Sequence, residues 1–96
     1  MQNEVDSWIK AKGGGYWPPL SMMARLTEEV GETARVLNSA YGEKKKKPEE
    51  LHNLEGELGD LLFTIICMAN AFKIDLESAY DKTLKKSNVR DKHRFM

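Results

Sequence analysis

A single cysteine, Cys67, stands among 96 residues. It excludes an intramolecular disulfide framework and suits a reducing, cytoplasmic setting. Net charge is also missing, since fifteen Lys and Arg balance fifteen Asp and Glu. A nucleic-acid polymer is therefore not the expected partner, because such binders carry a clear basic excess. No apolar run is long enough for a bilayer. The longest, Leu61 to Phe72, falls short of the roughly 20 residues a spanning helix needs. No charged start leads into the apolar stretch of a signal peptide. Strand-like alternation is absent throughout, which points away from a sheet.

What remains is a chain of one-domain size, 1–96, whose apolar fraction of 41% is enough for a core. A chain this short buries only about 60–65% of its unfolded surface, which favours association with further copies.

Helical periodicity fills the space between the breaks. Residues 2–12 predict a short helix with Val5, Trp8 and Ile9 on one face, ended by Gly13, Gly14 and Gly15. Pro18 and Pro19 mark the start of a second helix. Its stripe is Leu20, Met23, Leu26, Val30, Ala34, Leu37 and Tyr41. Gly42 and Lys44 to Lys47 form the next break. Pro48, Glu49 and Glu50 then predict the first turn of a third helix. Its stripe runs through Leu51, Leu54, Leu58, Leu61, Ile65, Ala69 and Phe72. From Leu61 onward it is apolar on nearly every side, which predicts burial all round and a partner subunit. Asp75 is placed to cap a fourth helix carrying Leu76, Ala79, Tyr80 and Leu84. A basic tail follows from Ser87 to Met96. The expected fold is all-α: a bundle-like set of four helices with two long antiparallel members.

Two stretches share the form Leu-x-x-Glu-(Val/Leu)-Gly-(Glu/Asp). They are Leu26 to Glu32 and Leu54 to Asp60. Each places two carboxylates at i and i+3 on one helical face: Glu29 with Glu32, and Glu57 with Asp60. If the stripes pack antiparallel, the four converge beside the core. Such crowding requires raised pKa values or a cation. Helix two offers Arg25 and Arg35, but no Lys or Arg stands between Lys47 and Lys73, a span with five acids. A hard divalent ion, Mg²⁺ first, fits oxygen ligands of this kind. One Glu-x-x-Glu pair alone is usually a solvated face; two matching pairs beside a core are far more specific. Gly31 and Gly59 weaken their helices by about 1 kcal/mol each, and close approach of another element is the expected reason.

Glu28-Glu29-x-x-Glu32 followed by Glu57-x-x-Asp60 resembles the signature of the MazG-like nucleotide pyrophosphohydrolases. These are all-α enzymes grouped with the dimeric dUTPases and dCTP pyrophosphatases. The resemblance runs from about Met22 to Phe95. Asn88-x-Arg90-x-x-x-Arg94-Phe95 is similar to the family's tail Asn-x-Lys-Phe-x-x-Arg-Phe, with Arg90 at the lysine and Asp91 at an aromatic position. The resemblance implies an Mg²⁺-dependent hydrolase, with Mn²⁺ as a substitute, cutting nucleoside triphosphates between the α and β phosphates. It implies metal ligands at Glu29, Glu32, Glu57 and Asp60, with Glu28 in support.

The residue types agree with that chemistry. No Ser/His/Asp or Cys/His set suggests a covalent nucleophile. Glu29 or Glu32 is the candidate general base. Lys86, Asn88, Arg90 and Arg94 are candidates for contact with phosphate, and Trp17 for stacking on a base. Lys44 to Lys47 fit a solvated loop better than a phosphate grip. Glu49-x-x-His52 is half of a di-iron motif with no second half. A homodimer or homotetramer is the expected assembly. The competing reading is a non-catalytic helical module that binds nucleotide-Mg²⁺ or a protein. Nine acids lie between Glu28 and Asp60, and seven bases lie between Lys73 and Arg94. The neutral total thus hides an acidic centre followed by a basic tail.

Overall fold

A computed structural model describes residues 1–41 and 53–91. Four helices follow in order: α1 (Gln2–Lys12), α2 (Pro19–Tyr41), α3 (Leu54–Ala71) and α4 (Leu76–Asp91), with no strand among the described residues. The expected first turn at Pro48 to Leu51, the lysine run, and Glu49 with His52 lie outside the described residues.

Local chemistry sets the helix ends. Gly13 closes α1 in the left-handed conformation at φ 82°, its N–H donating to Ile9 and Lys10 carbonyls. The Pro18 carbonyl accepts from the N–H of Met22 at 3.0 Å, so Pro19 occupies the first helical position. Asp75 Oδ1 accepts from the N–H groups of Glu77 and Ser78, as an N-cap does. The end of α3 is a Schellman motif. Ile74 N–H donates to the Ala69 carbonyl at 2.8 Å and Lys73 N–H to that of Asn70 at 3.1 Å. Its left-handed position is a lysine, Lys73, at φ 57°.

Helices α2 and α3 run antiparallel. Tyr16, just before α2, meets Asn70 near the end of α3, while Glu29 meets Glu57 and Asp60 further along. Their shared core is small: Met22, Val36, Ala40, Ile66 and Ala69, with Val36 wholly enclosed. Helix α1 lies against α3, Trp8 meeting Phe63 edge-on at 5.9 Å.

The buried face of α2 is not the expected stripe. Met22, Glu29, Val36 and Ala40 face inward, with Leu26 and Thr33 half-buried between them. Leu20, Met23, Val30, Leu37 and Tyr41 are exposed, about one residue, or 100°, further round. In α3 the buried set is Thr64, Ile66 and Ala69, while Leu58, Leu62, Phe63, Ile65 and Phe72 stay exposed. The expectation of a segment buried on every side is therefore corrected for one protomer, which has too few elements to surround a helix.

Two further expectations change. The first part of the basic tail expected from Ser87 belongs to α4, which continues through Asn88 and Arg90 to Asp91. None of its described side chains is buried, so α4 packs only lightly on its own chain. The radius of gyration, 16.8 Å, accordingly exceeds the about 12–13 Å of a compact chain of this length. At Gly31 and Gly59 an added Cβ would meet nothing within 4 Å. No element of the described protomer approaches either glycine, contrary to expectation.

Candidate metal centre

The acid cluster forms where α2 crosses α3. Glu29 lies on the inward face of α2, in register with Met22 and Val36, and is only 8% exposed. Glu57 and Asp60 are one helical turn apart on α3. Glu29, Glu57 and Asp60 each offer a carboxylate oxygen, all within 4.8 Å of one another. Glu57 is half-buried and Asp60 exposed, so the cluster opens to solvent on one side. Three oxygens at this separation fit a single hard cation.

Electrostatics shows the strain of this crowding. Burial first, then the charges of Glu32, Asp60 and Glu29, push the Glu57 carboxyl above its ordinary value, against the pull of Arg35. The fourth acid, Glu32, is thus near enough to act on Glu57, although its oxygens lie outside the group of three.

Both arginines of α2 take part in the site. Arg25 Nε donates to Glu29 Oε1 at 2.8 Å, and Arg35 Nε donates to Glu32 Oε2 at 3.4 Å. The sequence places both cations on the second helix without assigning them to the site. Their spacings, i+4 and i+3, were the available signal. Arg25 also lies over the Trp17 ring, 5.5 Å from its centroid. Trp17 is 53% exposed, so its ring remains available. Glu28 points away from the core and is exposed. Lys86 and Asn88 lie exposed on α4, and the backbone of Arg90 belongs to the same helix. Arg94 lies outside the described residues.

A second polar assembly lies at the far end of α3. Tyr16 donates to Asp6 at 2.6 Å and accepts from Asn70 Nδ2 at 3.1 Å. Asn70 also donates to the Gln2 carbonyl and accepts from Gln2 Nε2. Gln2 then bonds Ile74 O and Leu76 N–H across the α3–α4 turn. These bonds border a cleft of about 1110 Å³, which none of the four acids lines. They anchor Tyr16, the residue before Trp17. Asn70 is thereby a structural residue tying α1 to α3.

Helix order, paired acids and their convergence together define an all-α protein with a candidate acidic metal centre. The chain matches the MazG nucleotide pyrophosphohydrolase domain over residues 18–95 and belongs to that family. It is 51% identical to protein YpjD of Bacillus subtilis (strain 168) over 96 residues, covering 99% of this chain and 86% of the relative. The crystal structure of YpjD superimposes with a TM-score of 0.80 at 51% identity, covering 94% of this chain and 91% of that one. A Bacillus-conserved MazG protein, a nucleotide pyrophosphohydrolase, matches equally well. Its TM-score is 0.80 at 52% identity, over 97% of this chain and 90% of that one. The protein is accordingly a nucleotide pyrophosphohydrolase with an all-α fold. No helix among the described residues is long and apolar enough to cross a membrane.

Proposed function

We propose that the chain, as a single domain, hydrolyses canonical or modified nucleoside triphosphates between the α and β phosphates, in an Mg²⁺-dependent reaction. The products are a nucleoside monophosphate and pyrophosphate, and clearance of non-canonical nucleotides in the cytoplasm is a role that fits. The observation carrying this reading is the convergence of Glu29, Glu57 and Asp60 oxygens within 4.8 Å. Mg²⁺, or Mn²⁺ in its place, would neutralise the triphosphate and acidify water when bound.

The chain's own groups divide the remaining work. Glu29, Glu57 and Asp60 are the ligands, with Glu32 completing the set and Glu28 supporting from the rim. Glu29 is buried and committed to Arg25, whereas Glu32 is held by a longer 3.4 Å contact. Glu32 is therefore the better group to take a proton from the attacking water. The exposed face of Trp17 stacks on the base.

Lys86, Asn88, Arg90 and Arg94 serve the phosphates. The exposed lysine and asparagine ride on a helix that packs little against its own chain, so a second copy brings them to the site. The exposed faces of α2 and α3, with Val30, Leu37, Leu58, Leu62 and Ile65, give a homodimer or homotetramer its interface.

A panel of NTPs and dNTPs assayed for pyrophosphate release tests this. The expected result is Mg²⁺-dependent turnover that is lost in Glu32→Gln. No turnover above that variant on any substrate would overturn the proposal.

A further inference from the structure

Arg25 is the one described side chain seen to touch both the acid cluster and Trp17. Its Nε donates to Glu29 Oε1 at 2.8 Å, and its guanidinium carbon lies 5.5 Å from the centre of the Trp17 ring. A planar guanidinium can make both contacts at once, edge to a carboxylate and face to an indole. Trp17 precedes α2, and Tyr16 beside it is anchored to Asp6 and Asn70. The residue before the indole is thus anchored, and Arg25 meets the indole ring itself.

We propose that Arg25 is a positioning residue that links the metal centre to the aromatic platform. It rests on the metal reading above. Arg25 and a divalent cation are rivals for the same carboxylate, since Glu29 belongs to the converging group. With the cluster free of metal, Arg25 balances Glu29 and keeps its carboxylate aimed at Glu57 and Asp60. A cation arriving there weakens the Arg25–Glu29 bond, and the change reaches Trp17 through the same guanidinium. Nucleobase platform and metal site are thereby adjusted together.

The test measures metal binding without nucleotide. Mg²⁺ or Mn²⁺ is titrated by calorimetry into the full chain, Arg25→Met and Arg25→Lys, while tryptophan emission is followed. Trp17→Phe isolates the contribution of Trp8. Removing a unit positive charge roughly 4 Å from a divalent cation in water predicts on the order of thirtyfold tighter metal binding in Arg25→Met. Arg25→Lys keeps the charge and stays near the parent affinity. Metal shifts the Trp17 emission of the parent and leaves that of Arg25→Met unchanged. A residue that merely held the fold together would weaken metal binding when removed. Equal or weaker binding by Arg25→Met, or a Trp17 signal blind to metal in the parent, overturns this proposal alone. Failure of the parent to bind either metal overturns the metal reading and this proposal with it.

Discussion

Glu29 on α2 and Glu57 on α3, far apart in sequence, bring carboxylate oxygens within 4.8 Å of each other, and Asp60 joins them. The arrangement opposes the protomer's own stability when no cation is present, because it holds Glu57 above its ordinary pKa.

Metal should therefore stabilise the fold. Saturating Mg²⁺ at 100 times its Kd adds about 2.7 kcal/mol, a Tm increase of about 10–20 °C for a chain this size. Glu57→Gln should raise the metal-free Tm, by removing a charge its neighbours repel, and should abolish most of the Mg²⁺ response. Scanning calorimetry with and without Mg²⁺ checks both. Equal Mg²⁺ responses in parent and variant would contradict the cluster's role.

The Tyr16 network gives a pH dependence of definite sign. Burial and the bond to Asp6 raise the Tyr16 pKa above 10.0. The folded chain then holds this proton more tightly than the unfolded one, so stability falls as pH rises from about 10 toward the folded value. Bonds from Lys10 and Tyr16 lower the Asp6 pKa below 3.8, so its contribution is present above that value and lost as pH falls through the folded one. Tyr16→Phe should cost about 1–2 kcal/mol and flatten the alkaline limb of a Tm-against-pH curve. An unchanged limb would contradict the assignment.

Lys73 adopts φ 57° at the end of α3, a conformation that disfavours residues with a Cβ by about 1–2 kcal/mol. Lys73→Gly should stabilise the chain by about 1 kcal/mol in urea unfolding, without changing turnover. A destabilised variant would show that the lysine side chain outweighs the backbone preference.

Leu37 is exposed on α2 while Val36 beside it is wholly buried. Leu37→Asp should dissociate the proposed homo-oligomer, as read by sedimentation velocity, and Val36→Ala should instead lower Tm. An undisturbed assembly in Leu37→Asp would place the interface elsewhere.

Much of the fold was legible because its signals are local. Gly13, Pro19 and Asp75 each act within one turn of a helix end, so their meaning survives without tertiary context. The pairing of Glu29 with Glu57 and Asp60 was legible from matched motifs on neighbouring helices. Which face turned inward was not. Leu26, Leu37, Leu58 and Ile65 look alike in sequence, yet Leu26 is half-buried in the protomer while the other three are exposed. A helix apolar on two faces carries no mark telling internal packing from an outward surface. Arg25 was hidden for a related reason. Its i+4 spacing to Glu29 describes many surface pairs of little consequence, and only the contact with Trp17 sets it apart. The extension of α4 past Ser87 was missed because its basic, weakly amphipathic residues read as tail.

The most direct measurement is a crystal structure of the full chain with Mg²⁺ and a non-hydrolysable nucleoside triphosphate. Mg²⁺ is expected about 2.1 Å from carboxylate oxygens of Glu29, Glu57 and Asp60, with the triphosphate on its open side. Mg²⁺ bound only elsewhere, with Glu29 still paired to Arg25 and the three carboxylates without a cation, would contradict that placement.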